Sequence, residues 1–323
     1  MISTHAIGVF YNGNSPIIEW ISWWGGTVCF TIFLFVFAAV YGLKLHKGTL
    51  DTKHELKRAL LILGAYYFIA LWVYVFGVWK FGPVDQSFWW DIRSIFRLEK
   101  LIYFTEFVIA FVGYIVFIAL LQRPLLILLK RPLLGIVAGL GGYGIGSFLY
   151  SLSWDHGLVG IVKEHLVGNG DIHSFPFLAY LPVVMLGLLW GYWLRQEGFD
   201  RWRRAKQGGL VLLGIWVVLH STGWIPPDRF PPTLLFLSYG LAFCFIALAI
   251  FNLLEKIRWI ERPLFFVGKH AFSFYFLHIL IMIPLGTWLV TASSDIFRLV
   301  FLFGVVMLAI SGVITAKSSL RRN

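Results

Sequence analysis

The sequence predicts an all-α, polytopic transmembrane helical bundle of about nine full spans plus a partial first helix. The chain of 323 residues is 59% hydrophobic and only 13% charged, a balance far outside that of soluble domains. Its apolar stretches run to ~20 residues or more, the length that carries a helix across the hydrocarbon core. Its cations are also sorted by loop. Of 27 Lys and Arg, 20 fall in or beside the segments 44–58, 123–131, 195–206, 256–269 and 317–322. Such a bias fixes orientation by the positive-inside rule and predicts a cytoplasmic C-terminus.

In order, residues 1–10 read as the outer end of a helix whose beginning is absent. The first full span is 17–45, and the basic 44–58 loop leads into the second, 59–81. An outer segment, 82–100, carries Phe88, Trp89 and Trp90, rings suited to the membrane interface. The span 101–122 contains Glu106; after it, Arg123-Pro124 and Lys130-Arg131-Pro132 bracket 125–129, too short to cross and expected to lie along the surface.

The fourth span, 133–153, contains Gly139-Leu140-Gly141-Gly142-Tyr143-Gly144. This matches GxGxxG, but it follows no strand, so a nucleotide-binding turn is rejected. Gly135, Gly139, Gly142 and Gly146 are read instead as small residues for close helix packing. The remaining spans are 175–194, a short 209–224, 233–254, a long 264–290 and 296–316. No linker or low-complexity tract interrupts them, so residues 1–323 are expected to form one membrane domain.

Several function classes drop out. The surplus of +11 has its explanation in topology, which removes the case for nucleic acid. Cys29 and Cys244 lie inside spans and give neither a disulfide framework nor metal spacing. Asp155, His156, His165 and His173 are metal-capable but too widely spaced for a familiar site, so no metal is expected.

The candidate chemistry is carried by buried ionisable groups. His278 falls near the middle of an apolar segment, where an imidazole is costly and marks either a substrate path or a bond between packed helices. Glu106, inside the third span, reads as a substrate contact or as the partner of a nearby cation. Asp228-Arg229, at an outer turn, reads as a local ion pair or a substrate-positioning pair.

Three motifs in order carry a family resemblance. Asp228-Arg229-Phe230-Pro231-Pro232-Thr233, then Phe266-Val267-Gly268, then Phe274-Tyr275-Phe276-Leu277-His278, resemble the C-terminal region of bacterial relatives of heparan-α-glucosaminide N-acetyltransferase. Phe175-Pro176-Phe177 through Leu186-Gly187 is similar to that family's earlier Pro- and Gly-bearing span. The match is best over residues 175–285. Members begin with an Asp-x-x-Arg-Gly segment and an apolar helix ending near a histidine. The resemblance therefore implies that residues 1–6 are the end of that helix, with its front missing.

What the resemblance implies is acyl transfer from cytoplasmic acetyl-CoA (acyl-CoA), with no permanently bound cofactor, to a glycan or glycolipid acceptor on the outer face. The setting is expected to be a bacterial inner membrane. His5 matches the first-helix histidine and is the expected catalyst. His278 is a second candidate or a positioning group, beside Tyr275 of the Tyr-x-x-His motif. Arg229, with Asp228, orients the acceptor or counters developing negative charge, and Tyr275 is a further substrate contact; Glu106 joins them only through its depth in the third span. The alternatives are a transporter or flippase for an amphipathic glycan or lipid carrier, and a non-catalytic truncated membrane protein.

Overall fold

The computed structural model describes residues 2–81, 88–99, 105–152, 157–168, 175–196, 200–221, 232–254, 256–289 and 292–320. Among the described residues the protein is all-helical, with one isolated parallel bridge between Tyr11 and Ser293. The helices are α1 (Ile2–Phe10), α2 (Pro16–Lys47), α3 (Thr52–Phe81), α4 (Phe88–Phe96), α5 (Glu106–Leu120), α6 (Gln122–Lys130) and α7 (Pro132–Tyr150). They continue as α8 (Gly157–Val167), α9 (Leu181–Trp193), α10 (Arg201–Ser221), α11 (Leu234–Leu254), α12 (Arg258–Lys269), α13 (Ala271–Pro284) and α14 (Ile296–Leu320). A π-helical turn, Leu285–Leu289, follows α13.

Local sequence sets where these helices start and stop. Asp51 Oδ1 accepts the Lys53 N–H at 3.0 Å and opens α3. Asp200 Oδ1 takes the N–H groups of Trp202 and Arg203 at 3.1 and 3.0 Å for α10, and Asp295 Oδ1 takes that of Phe297 at 2.9 Å for α14. Each aspartate satisfies donors that the first turn leaves unpaired, for about 1 kcal/mol. α2 ends on Gly48, whose φ of +64° is left-handed. There the Gly48 N–H donates to the Leu45 carbonyl and the Thr49 N–H to the Lys44 carbonyl, closing a Schellman motif.

Among the described residues, five helical segments are long and apolar enough to cross a membrane: Pro16–Lys47, Thr52–Phe76, Pro132–Tyr150, Leu234–Phe251 and Ile296–Ala316. The protein is thus an integral membrane protein. The nine spans read from the sequence are not all reproduced as single straight helices. The third is α5, which bends by 83° into α6, so residues 125–129 do turn away from the crossing direction. The eighth is α12 and α13, bent by 76°. Counting each bent pair as one crossing gives seven. The fifth is reduced to the 13 residues of α9, ~20 Å at 1.5 Å per residue, short of the ~30 Å core. The sixth, α10, opens on two polar turns from Arg201 to Gln207, which leaves too short an apolar remainder.

The chain divides into two compact units: residues 1–26, 67–97 and 253–323, and residues 27–66 and 98–252. In the second, α9 is the enclosed helix. Leu181 to Leu189 are buried nearly without interruption, because α9 meets other backbones on two sides. A methyl group added at Gly187 would stand 2.5 Å from the Phe35 carbonyl oxygen, and one at Gly191 would overlap the Ala39 carbonyl. From the other side, a methyl group at Gly42 of α2 would overlap the Leu188 carbonyl. The α7 glycines read as packing residues line the opposite seam. All four are buried, and Gly139 would meet Pro182 Cα at 3.1 Å.

In the first unit, α1 packs against α13 and α14. It is tied at its end by the Ser293 N–H donating to the Phe10 carbonyl at 3.0 Å and the Asn12 N–H donating to the Ser293 carbonyl at 3.2 Å. Ala6, Val9 and Phe10 are its buried face, and His5, one turn before Val9, lies on the same stripe.

The seam makes a paired prediction. Gly187→Ala and Gly191→Ala push a methyl against backbone, and overpacking of that kind costs about 1–3 kcal/mol. Gly141→Ala and Gly144→Ala, which meet nothing within 4 Å on the same helix as the buried glycines, gain helix propensity instead. Thermal unfolding in detergent is expected to show lower midpoints for the first pair and unchanged or higher ones for the second.

Candidate functional site

The two histidines singled out in the sequence meet. His5 Nδ1 lies 2.7 Å from His278 Nε2, and the rings stack at 5.0 Å between centroids, 20° apart. Helical periodicity aims His278 inward: Phe274, Tyr275, His278, Ile279, Met282 and Ile283 are the buried stripe of α13. His278 is 0% exposed, while His5 is half-buried. Tyr275, buried beside them, sets its ring edge-on to His278 at 5.3 Å.

The hydrogen bonds assign the tautomers. His278 Nδ1 sits 3.1 Å from the Phe274 carbonyl oxygen. A carbonyl only accepts, so that nitrogen carries the hydrogen, and in a neutral imidazole Nε2 then holds the lone pair. His5 must therefore donate from Nδ1 into His278 Nε2, which puts the lone pair of His5 on its own Nε2. The chain Phe274 carbonyl, His278, His5 thus fixes the direction of the relay. A proton arriving at His5 Nε2 makes an imidazolium that still donates to His278 through a charge-assisted bond.

Glu106 belongs to the other unit. It opens α5 and, with Gly113 of the same helix, His165 of α8, and Phe175 and Phe177, lines a cavity of about 150 Å³. The wall is locally braced: the Phe177 and Leu178 N–H groups donate to the His165 and Leu166 carbonyls at 3.0 and 2.8 Å. The hydroxyl of fully buried Tyr114 donates to the Phe177 carbonyl at 2.6 Å. An acid and an imidazole on an otherwise apolar wall suit a small ligand with one polar edge.

Asp228 and Arg229 lie outside the described residues, as do Asp155, His156 and His173. Among the described residues no group of three or more His, Cys, Asp or Glu side chains is placed to hold a metal ion. Cys29 and Cys244 are both free thiols.

Sequence reasoning missed two features. His165, read as a dispersed outer histidine, shares the cavity with Glu106. Glu55, read only as part of a basic loop, is 2% exposed. It accepts from the Tyr41 hydroxyl and pairs with Lys44 at 2.5 Å and Arg58 at 3.7 Å. Lys44 also lies over the Tyr41 ring, 4.9 Å from its centroid. The available signal was Tyr41 and Lys44 on one side of Gly48 with Glu55 and Arg58 on the other, each pair three residues apart.

Comparison with known proteins finds no matching family, no matching curated protein and no matching solved structure. The family resemblance therefore rests on the quoted residues alone.

Two predictions follow from this geometry. Nitrogen NMR of the histidine-labelled protein, in the neutral form, is expected to show His278 with hydrogen on Nδ1 and a bare Nε2; the opposite tautomer contradicts the relay direction. In the Glu55 cluster, Lys44→Met leaves a buried carboxylate short of its closest cation, a change that costs up to about 3–5 kcal/mol. Arg58→Met removes a longer, half-exposed contact worth about 1 kcal/mol or less. Thermal midpoints are expected to fall in that order, and adding Glu55→Gln to Lys44→Met restores part of the loss.

Proposed function

We propose that this protein is a membrane acyltransferase that moves an acetyl (acyl) group from cytoplasmic acyl-CoA to a glycan or glycolipid acceptor on the opposite face. The observation that carries this reading is the His5–His278 pair, a directed imidazole relay between α1 and α13. The order of the three C-terminal motifs, the last of which contains His278, also supports it.

In this mechanism the His5 Nε2 lone pair removes the proton of the acceptor amine or hydroxyl as its heteroatom attacks the thioester carbonyl. The tetrahedral adduct collapses with cleavage of the C–S bond, and the imidazolium returns its proton to the departing CoA thiolate. Base catalysis of this type contributes typically 10²–10⁴-fold. In a two-step route, Nε2 attacks the carbonyl itself, CoA leaves, and the acceptor then displaces the acyl-imidazole. His278 acts through His5 in both routes, as a positioning residue that shares the positive charge. Tyr275 packs on His278, and Arg229, Asp228 and Glu106 are proposed, from the sequence alone, as acceptor contacts.

The proposed setting is a bacterial inner membrane with the C-terminus cytoplasmic. The loop sorting of 20 of 27 cations supports that orientation. The nine-span reading would count α9 and α10, both short of a full apolar crossing by themselves, beside the five long helices and two bent pairs. The Glu106–His165 cavity favours a second reading, a transporter or flippase that uses polar contacts without covalent chemistry.

Labelled acetyl-CoA supplied to the cytoplasmic face of vesicles containing the protein tests the two. Label on an acceptor of the far face is the expected result. His5→Gln is expected to lower kcat by 10²–10⁴-fold. His278→Gln is expected to lower it less and to move the pH–rate profile, which rises with pH because the base must be unprotonated. Passage of unmodified acceptor without donor favours transport, and neither activity removes both readings.

A further inference from the structure

We propose that α12 is a docking helix for anionic lipid headgroups, lying in the membrane interface rather than continuing the span into which its sequence runs. Its 12 residues contain no buried one, although Trp259 and Phe265 are 78% and 68% exposed. At 100° per residue its side chains separate into two faces. Within the helix Arg258, Arg262 and Lys269 form one stripe and Glu261 is its one acid; Glu255 and Lys256 precede it in sequence. Trp259, Ile260, Pro263, Leu264, Phe266 and Val267 form the other. Only Phe265 stands among the cations.

The 76° bend at His270 decides how this helix sits. If α13 crosses the bilayer, α12 runs nearly along its plane, with ~18 Å of length at 1.5 Å per residue. The bend is held locally: the Phe266 ring packs 5.1 Å from the His270 ring and 5.9 Å from that of Phe274, the two residues at the start of α13. A helix in that position must place its apolar face among acyl chains and its cations at headgroup level. Tryptophan belongs at the same depth.

The charge pattern selects the occupant. Three cations of the helix against one acid complement phosphate-bearing headgroups, whereas a protein-docking face of this size would be depleted in charge at its core. The proposal is independent of the acyl-transfer reading, since it rests on no residue of the histidine pair.

The test uses the full-length protein, with Cys29→Ala and Cys244→Ala, in nanodiscs of phosphatidylcholine with and without phosphatidylglycerol. Spin labels are attached at Trp259→Cys or Arg262→Cys. The first label is expected to be reached by oxygen and shielded from a water-soluble nickel reagent, and the second to show the reverse. Phosphatidylglycerol retained by the protein, counted by native mass spectrometry, is expected to fall about five-fold for each of Arg258→Gln, Arg262→Gln and Lys269→Gln, as befits ~1 kcal/mol per cation near an anionic surface. Labels both exposed to water, labels both shielded from the two reagents as by a second protein, or retention unchanged by the three substitutions each overturn the proposal. The label measurement keeps the cations other than the labelled one, so it stands even if the neutralised variants fold poorly.

Discussion

Between α2 and α9 the backbones themselves touch. Lipid tails are as apolar as leucine, so no hydrophobic gain draws two helices together inside a bilayer, and dispersion contacts must do it. Those contacts decay steeply with distance, which is why Gly42, Gly187 and Gly191 matter more than any large side chain in this region. They let carbonyl oxygens of one helix stand where a methyl of the other would be. The α7 glycines perform the same service on the opposite side. A helix of 13 residues is too short to be held by lipid on its own terms, but it is stable when protein encloses it on both flanks.

The same constraint governs the polar groups. Inside the membrane a buried polar group gains from a protein partner, and Glu55 and His278 among the described residues are arranged accordingly. Glu55 has a hydroxyl and two cations around it. His278 has a carbonyl on one nitrogen and His5 on the other. Satisfaction in the second case also creates a chemical direction. Because the Phe274 carbonyl consumes one hydrogen, basicity is delivered to the outer nitrogen of His5, the half-buried member of the pair. In the proposed acyl transfer, a base joined in this way to a fully buried partner would keep its orientation while its charge changes.

Much of this was legible in the chain. The apolar runs announced a helical membrane protein, the four α7 glycines announced a packing seam, and the depth of His278 announced a side chain that had to find a polar partner. The bends were harder. The run 264–290 reads as one long span because hydropathy sums over residues without regard to direction, so the second half of the amphipathic α12 was absorbed into it. The 175–194 run was likewise taken as a full crossing, although the structure begins α9 only at Leu181. The Glu55 cluster was hidden among the cations of its own loop. Nothing in the sequence distinguishes a solvated glutamate from one that the α2–α3 turn folds back onto Tyr41.

By itself, then, the sequence determined composition-level facts: helices throughout, a membrane setting, and which residue types are dear to bury. Those follow from transfer energies and periodicity, which are local properties of a segment. Only the tertiary structure decided that residue 5 meets residue 278 and that Glu106 shares its cavity with His165. Such contacts depend on which helix faces adjoin and at what height. In lipid that choice is made by the fit of small residues summed over a whole interface, a quantity that no single segment carries.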